Sequence, residues 1–208
     1  RDRVDTIDWR YMKDALTRDE ALEILNEKVH EHSNLEIKMQ QKGPKAYSTA
    51  GWLGLTDEEI AKTIESMQDQ GFDCFKMKVG QNLNHDKKRL SFIRGIIGYK
   101  SKLMVDCNQV WGVDEAINYM TELKEFKPIW IEEPTARDDV QGHIKISEAL
   151  KKFDIKVASG EQVPSPVIFK QLLQHGAIGY CQIDATRLGG VNDVLAVILL
   201  AKKYKVPV

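Results

Sequence analysis

Ile129-Trp130-Ile131-Glu132-Glu133-Pro134 is a short apolar, β-prone run that ends in two carboxylates and a proline. It reads as a buried strand whose C-terminal end delivers an acid into a site, because a strand formed for stability alone has no use for charge where its apolar run stops. The same event occurs upstream at Leu103-Met104-Val105-Asp106 and downstream at Ile155-Lys156-Val157-Ala158-Ser159-Gly160-Glu161. Asp106 and Glu132 stand 26 positions apart, and Glu132 and Glu161 29. Both intervals are close to the roughly 30 residues per unit of a (β/α)8 barrel of about 250 residues. Three hard oxygen ligands at one end of three neighbouring parallel strands make a divalent-cation site. An oxygen-only set fits Mg2+ or Mn2+ and argues against zinc.

Outward from that centre the chain alternates regularly. Strands are expected at 46–53, 74–79, 103–106, 129–132, 155–158 and 180–183. The helices between them fall at 84–97, 113–125, 141–151, 166–174 and 191–204, after one opened by the capping box Thr56-Asp57-Glu58-Glu59 and closed by Gly71. This makes six βα units, and Val206-Pro207-Val208 reads as the opening of a seventh strand. Repeating βα units imply parallel strands; the alternative, a doubly wound open sheet, would splay the strand-end acids apart. The fold class expected is therefore α/β, a (β/α)8-type TIM barrel truncated to about six βα units, occupying 46–208. Residues 1–45 differ. A second capping box, Thr17-Arg18-Asp19-Glu20, opens a helix to about position 29, a polar stretch runs from 29 to the breaker Gly43-Pro44, and the whole reads as a connecting or accessory segment leading into the barrel. The chain starts at Arg1 without an initiator methionine, so a segment upstream is expected.

Composition narrows the function classes. The 208 residues are 42% apolar, enough for a sizeable core, and the net charge is −1 with 30 basic and 31 acidic residues well mixed. That balance offers no electrostatic reason to expect nucleic acid or an anionic membrane as partner. No apolar run approaches the roughly 20 residues needed to span a bilayer, and the N-terminus lacks a signal-peptide pattern, so the protein reads as soluble and intracellular. Cys74, Cys107 and Cys181 are odd in number, lie in apolar runs and lack CxxC spacing. They read as reduced core thiols rather than as a disulfide or zinc framework.

Lys76-Met77-Lys78 ends the second strand. Alternation along a strand puts Lys76 and Lys78 on one side and Met77 on the other. A lone KxK is more often two ordinary lysines, but Lys78 lies 28 positions before Asp106, in phase with the acids. Both ammonium groups should then lie beside the metal, where a second cation and a divalent ion each lower a lysine pKa towards that of a general base. Gln182-Ile183-Asp184 ends the sixth strand in the same phase. Asp184 is either a fourth ligand or the partner that orients a histidine. Asn108, on the face of Asp106, is either a substrate hydrogen-bond donor or a loop-stabilising residue. His30, His32, His85, His143 and His175 lie outside the series and read as surface residues. Leu188-Gly189-Gly190 is too short for a phosphate loop.

The set Lys76-x-Lys78, Val105-Asp106-x-Asn108-Gln109, Trp130-Ile131-Glu132-Glu133-Pro134, Gly160-Glu161-Gln162 and Gln182-Ile183-Asp184 resembles the mandelate-racemase subgroup of the enolase superfamily, and within it the L-fuconate dehydratase family. The resemblance runs from Ile7-Asp8-Trp9-Arg10-Tyr11 through Gly51-Trp52-Leu53-Gly54 to Ala201-Lys202-Lys203. It implies that Asp106, Glu132 and Glu161 bind Mg2+, that Lys78 is an acid/base with Lys76 beside it, and that Asn108 touches substrate. It makes Asp184 the partner of a histidine just beyond Val208. It also implies that 1–45 is a remnant of an α+β capping domain, and that the rest of strand seven and strand eight lie outside the chain. The expected function is Mg2+-dependent dehydration of L-fuconate or a related sugar acid, in an intracellular protein that is mitochondrial by the resemblance or otherwise cytoplasmic. Another dehydratase or racemase of the subgroup would share every residue named, and an inactive truncated form is the other alternative. Open strand edges lead to an expected homo-oligomer.

Overall fold

The computed structural model describes residues 3–27 and 29–208. Arg1, Asp2 and Lys28, which the sequence reading assigns to the accessory segment and its helix, lie outside the described residues. Six parallel strands form one sheet: β1 (Ser48–Gly51), β2 (Cys74–Lys78), β3 (Lys102–Asp106), β4 (Trp130–Glu132), β5 (Lys156–Ser159) and β6 (Tyr180–Cys181). Their spatial order is their chain order. A doubly wound sheet reverses direction at a switch point, and this one never does, as a barrel requires.

The crossover helices are α3 (Asp57–Asp69), α4 (Leu83–Ile97), α5 (Val113–Leu123), α6 (Val140–Leu150), α7 (Pro166–Gln174) and α8 (Val191–Lys203). Their starts follow local chemistry. The Thr56 hydroxyl accepts from the Glu59 N–H while Glu59 accepts from the Thr56 N–H, a reciprocal box, and Asn82, Asp139 and Ser165 cap α4, α6 and α7. Strand side chains alternate as expected. Phe75, Met77, Leu103, Val105, Ile131, Val157 and Cys181 pack outward with helix residues such as Ile60, Ile64, Leu90 and Phe169. Cys74, Met104, Trp130, Ala158 and Tyr180 form a separate inner cluster. The barrel interior is thus apolar below and charged above.

The N-terminal segment packs against α7 and α8. Val4, Ile7, Met12, Ala15, Leu16 and Ala21 are buried in the outer core. α1 (Arg18–Asn26) carries the second reciprocal box, Thr17 with Glu20, and joins α8 through Lys203 Nζ to Glu20 at 2.7 Å. Two expectations need correction. The polar stretch read as a connecting segment contains a helix, α2 (His32–Lys42), with no buried residue. It lacks the apolar stripe by which helices are recognised, and Ile37 and Met39 are exposed. His143, read as a surface residue, is fully buried on α6, with Nδ1 2.8 Å from the Asp139 carbonyl. Burial pushes its pKa down, so the neutral ring serves as a core residue.

Val206-Pro207-Val208 does approach the outer edge of β6, where the Cys181 N–H donates to the Pro207 carbonyl at 2.9 Å. No described helix is long and apolar enough to cross a membrane. The three cysteines are free thiols, Cys107 and Cys181 buried and Cys74 half-buried.

Candidate active site

Register places the charged residues at one height. Lys78 pairs with Asp106, and Asp106 with Glu132. Since inner positions alternate, Lys76 and Lys78, Asp106 and Glu132 all point into the barrel mouth above the Met104–Trp130–Ala158 cluster. Lys76 Nζ lies 2.6 Å from Glu132 Oε1 and 3.1 Å from Asp106 Oδ2, and Lys78 Nζ lies 2.5 Å from that same Asp106 oxygen. The Lys78 ammonium also donates to Asn108 Oδ1 at 2.7 Å. Both carboxylates are fully buried and both lysines nearly so.

Electrostatics follows from this packing. Burial opposes the Asp106 charge, but Lys78 and Lys76 hold its pKa below the usual value. At Glu132, burial and then the neighbouring Asp106 charge outweigh Lys76, and the pKa is raised. Burial alone would push Lys76 down; Glu132 and Asp106 overcome it and raise the pKa. The charges nearest to Lys76 are carboxylates, and they decide this direction.

Glu161 stands differently. The β5 residue level with Glu132 is Ala158, and β5 ends at Ser159. The chain then turns through Gly160 before presenting Glu161, whose charge adds to burial in raising the Glu133 pKa. Among the described residues, no three His, Cys, Asp or Glu side chains are drawn together as a metal cluster. The donor set nonetheless fits a hard cation. Glu132 Oε2 is buried with no hydrogen-bond partner, and the Lys76 ammonium already bridges the Asp106 and Glu132 carboxylates while Lys78 pairs with Asp106.

Asp184 follows β6 and is partly exposed. Its Oδ1 accepts from the N–H and hydroxyl of Thr186, at 2.8 and 2.7 Å, and Arg187 Nε lies 3.8 Å from Oδ2. Here it organises its own turn. Asn108 is divided between roles: Oδ1 receives Lys78, the N–H donates to Asp106 Oδ1 at 3.0 Å, and Nδ2 faces Glu133 at 3.5 Å.

Several site residues escaped the sequence reading. Glu133, quoted in its motif without a role, is buried, and burial with the nearby Glu161 and Asp106 charges raises its pKa to about 7. It accepts from Gln109 Nε2 at 2.9 Å, and the Gln109 N–H donates to its carbonyl at 2.8 Å. Asn108, Gln109 and Glu133 all have left-handed backbone, at φ 49°, 64° and 46°. For Glu133 this is unusual, since a residue before proline favours extended geometry. Tyr47 and Trp52 place rings 5.3 Å from Lys76 Nζ and 5.1 Å from Lys78 Nζ. Nothing in the spacing marks these two. Glu133 is signalled only by its place beside Glu132.

Comparison with known proteins gives the same direction. Residues 59–208 match the family model described as "Enolase C-terminal domain-like". An L-galactonate dehydratase from Hypocrea jecorina is 48% identical over 97% of this chain and 46% of its own length. The crystal structure of human mitochondrial enolase superfamily member 1 superposes with a TM-score of 0.95 at 45% identity, over 99% of this chain and 47% of that one. L-talarate/galactarate dehydratase from Salmonella typhimurium LT2, liganded with Mg and L-lyxarohydroxamate, matches 76% of this chain and 40% of its own with a TM-score of 0.70 and 33% identity. The chain spans about half the length of the curated relatives it matches.

Proposed function

The chain belongs to the enolase C-terminal domain-like family, and from that premise we propose that it carries the metal-binding and proton-abstracting part of a Mg2+-dependent sugar-acid dehydratase acting on L-fuconate or a close relative. The observation that carries this reading is the placement of Lys78 Nζ. It sits between Asp106 and Asn108, level with a buried carboxylate pair that has one oxygen still to satisfy. The dehydratase names among the relatives, and the Mg in a neighbour's crystal structure, support it.

Asp106, Glu132 and Glu161 would hold the ion, which when bound would stabilise charge on the carboxylate of a sugar acid. The chain's own groups do the rest. The Lys78 nitrogen, oriented by Asp106 and Asn108 and acting as the neutral amine, takes the α-proton, and the C–H electron pair passes into the carbon–carbon bond as the β-hydroxyl leaves with a proton as water. The resulting enol becomes a 2-keto-3-deoxy acid. Lys76, fixed by Glu132, keeps positive charge where negative charge develops. Asn108 Nδ2 is free to turn from a long contact with Glu133 towards a substrate hydroxyl. Asp184 Oδ2 is the acceptor for a histidine that would protonate the leaving hydroxyl. In this reading residues 1–45 are the remnant of a capping domain, and the whole protein is a mitochondrial homo-oligomer.

Two measurements test it. Calorimetry on the full natural protein should show Mg2+ binding that is lost in Glu132→Gln; equal affinity in both sinks the ligand assignment. Lys78→Ala should stop exchange of the substrate α-hydrogen with deuterated water while Mg2+ still binds, and exchange at the parent rate would mean another base. A panel of L-fuconate, L-galactonate and L-talarate with product analysis then separates dehydration from racemisation.

A further inference from the structure

Arg89, 4% exposed on the inner face of α4, gathers three backbone carbonyls onto one guanidinium. Nη1 donates to the Lys78 carbonyl at 2.9 Å, and Nη2 to those of Gly51 and Trp52 at 3.1 and 2.8 Å. These oxygens belong to the C-terminal ends of two strands. The β1–β2 ladder finishes at Gly51 opposite Met77, just after a register irregularity at Thr49–Gly51, so the carbonyls beyond it need another donor. Asp86 backs the guanidinium. Its Oδ1 lies 3.6 Å from Nη1, and its Oδ2 accepts from the Gly80 N–H and the Tyr119 hydroxyl, each at 2.7 Å. The backbone that bears Lys78 and the backbone that bears Trp52 are thereby tied to the same buried cation, and the Trp52 ring stands over Lys78 Nζ.

We infer that Arg89 is a positioning residue for proton abstraction, holding the Trp52 face over the Lys78 nitrogen so that it stays aimed at the reacting carbon. The inference rests on the reading of Lys78 as the base. A planar fork serves this purpose better than a point charge, because three acceptors converge on fixed N–H directions. The fold supplies its own comparison. Arg94, on the same helix and equally buried, donates to the carbonyls of Phe126, Gly98, Ser101 and Lys127 at the opposite end of the strands. It satisfies backbone away from any reacting group.

The experiment compares Arg89→Met, Arg89→Lys, Trp52→Leu, Arg94→Met and Lys78→Ala in the full natural protein. It uses whichever of L-fuconate, L-galactonate and L-talarate the parent dehydrates fastest. Thermal melting, Mg2+ affinity, kcat, KM and α-hydrogen exchange in deuterated water are measured on each. Arg89→Met and Trp52→Leu should lower kcat and exchange roughly 10- to 100-fold with Mg2+ affinity unchanged, the scale expected when a reacting group is misplaced by about 1 Å. Arg89→Lys should recover part of the loss. Arg94→Met should lower the melting temperature while each folded molecule exchanges at the parent rate. Folded Arg89→Met exchanging as fast as Arg94→Met would overturn the inference and leave the base assignment standing. If Arg89→Met does not fold, parent-rate exchange in both Arg89→Lys and Trp52→Leu overturns it equally. Exchange persisting in Lys78→Ala overturns the base assignment and this inference together, a result distinct from the other two.

Discussion

At the scale of single residues, the site depends on backbone positions as much as on charges. Gly160 joins β5 to Glu161 with φ 136°, and a Cβ built there would lie 2.0 Å from the Gln182 carbonyl oxygen and 2.6 Å from the Phe169 ring. An alanine would meet both backbone strain and a rigid neighbour. Gly160→Ala should therefore destabilise the protein by about 2–4 kcal/mol, summing a strained φ and an overpacked contact. A urea midpoint equal to the parent's would show that the strand end can shift freely, and would weaken any role for Glu161 that depends on a fixed position. The buried carboxylates make the complementary point. Asp106 and Glu132 tolerate burial because two ammonium groups face them, so removing Lys76 leaves Glu132 without its partner.

At the scale of elements, α1 and α8 show how the N-terminal segment is held. Glu20 closes the capping box of α1 and receives Lys203 from α8. Lys203, then the Thr17 N–H, hold its pKa down to about 2. A depressed carboxylate pKa contributes stability that is present above the unfolded value, near 4.5, and is lost as pH falls through the folded one. The exchange protection of α1, taken relative to the intrinsic rate at each pH, should therefore fall between about pH 4.5 and 2, ahead of that of the strands. Glu20→Gln should remove this dependence. If α1 protection in the variant tracks the parent across that window, the docking rests on apolar contacts such as Val4, Leu16 and Ala21 alone.

At the scale of the whole molecule, the sheet has two edges. Among the described residues β1 pairs only with β2, and the outer side of β6 meets only the short 206–208 run. Val191, Ile198 and Val208 are exposed nearby in sequence, at and after α8. Unpaired strand edges beside apolar surface favour self-association. The 208-residue chain expressed by itself should accordingly give a concentration-dependent mass by light scattering. A monodisperse monomer across a hundredfold dilution, on the order of micromolar upward, would count against these edges being sticky.

How much of this was legible from residues alone depends on the range of the interaction concerned. Six parallel strands, the order of the helices, two capping boxes and the inward direction of Lys76, Lys78, Asp106 and Glu132 all follow from local rules: alternation along a strand, cap chemistry, and a repeat close to 30 residues. Spacing could not show that the chain passes through a left-handed Gly160 before Glu161 or that the Glu161 charge helps to raise the Glu133 pKa, that His143 is buried, or that α2 forms without an apolar face. Nor could it show that Arg89 binds the ends of β1 and β2 together. Periodicity reports which face a side chain takes within its own element. Which atoms meet across 20 to 60 positions is decided by register and packing, and those exist only once the strands have closed on one another.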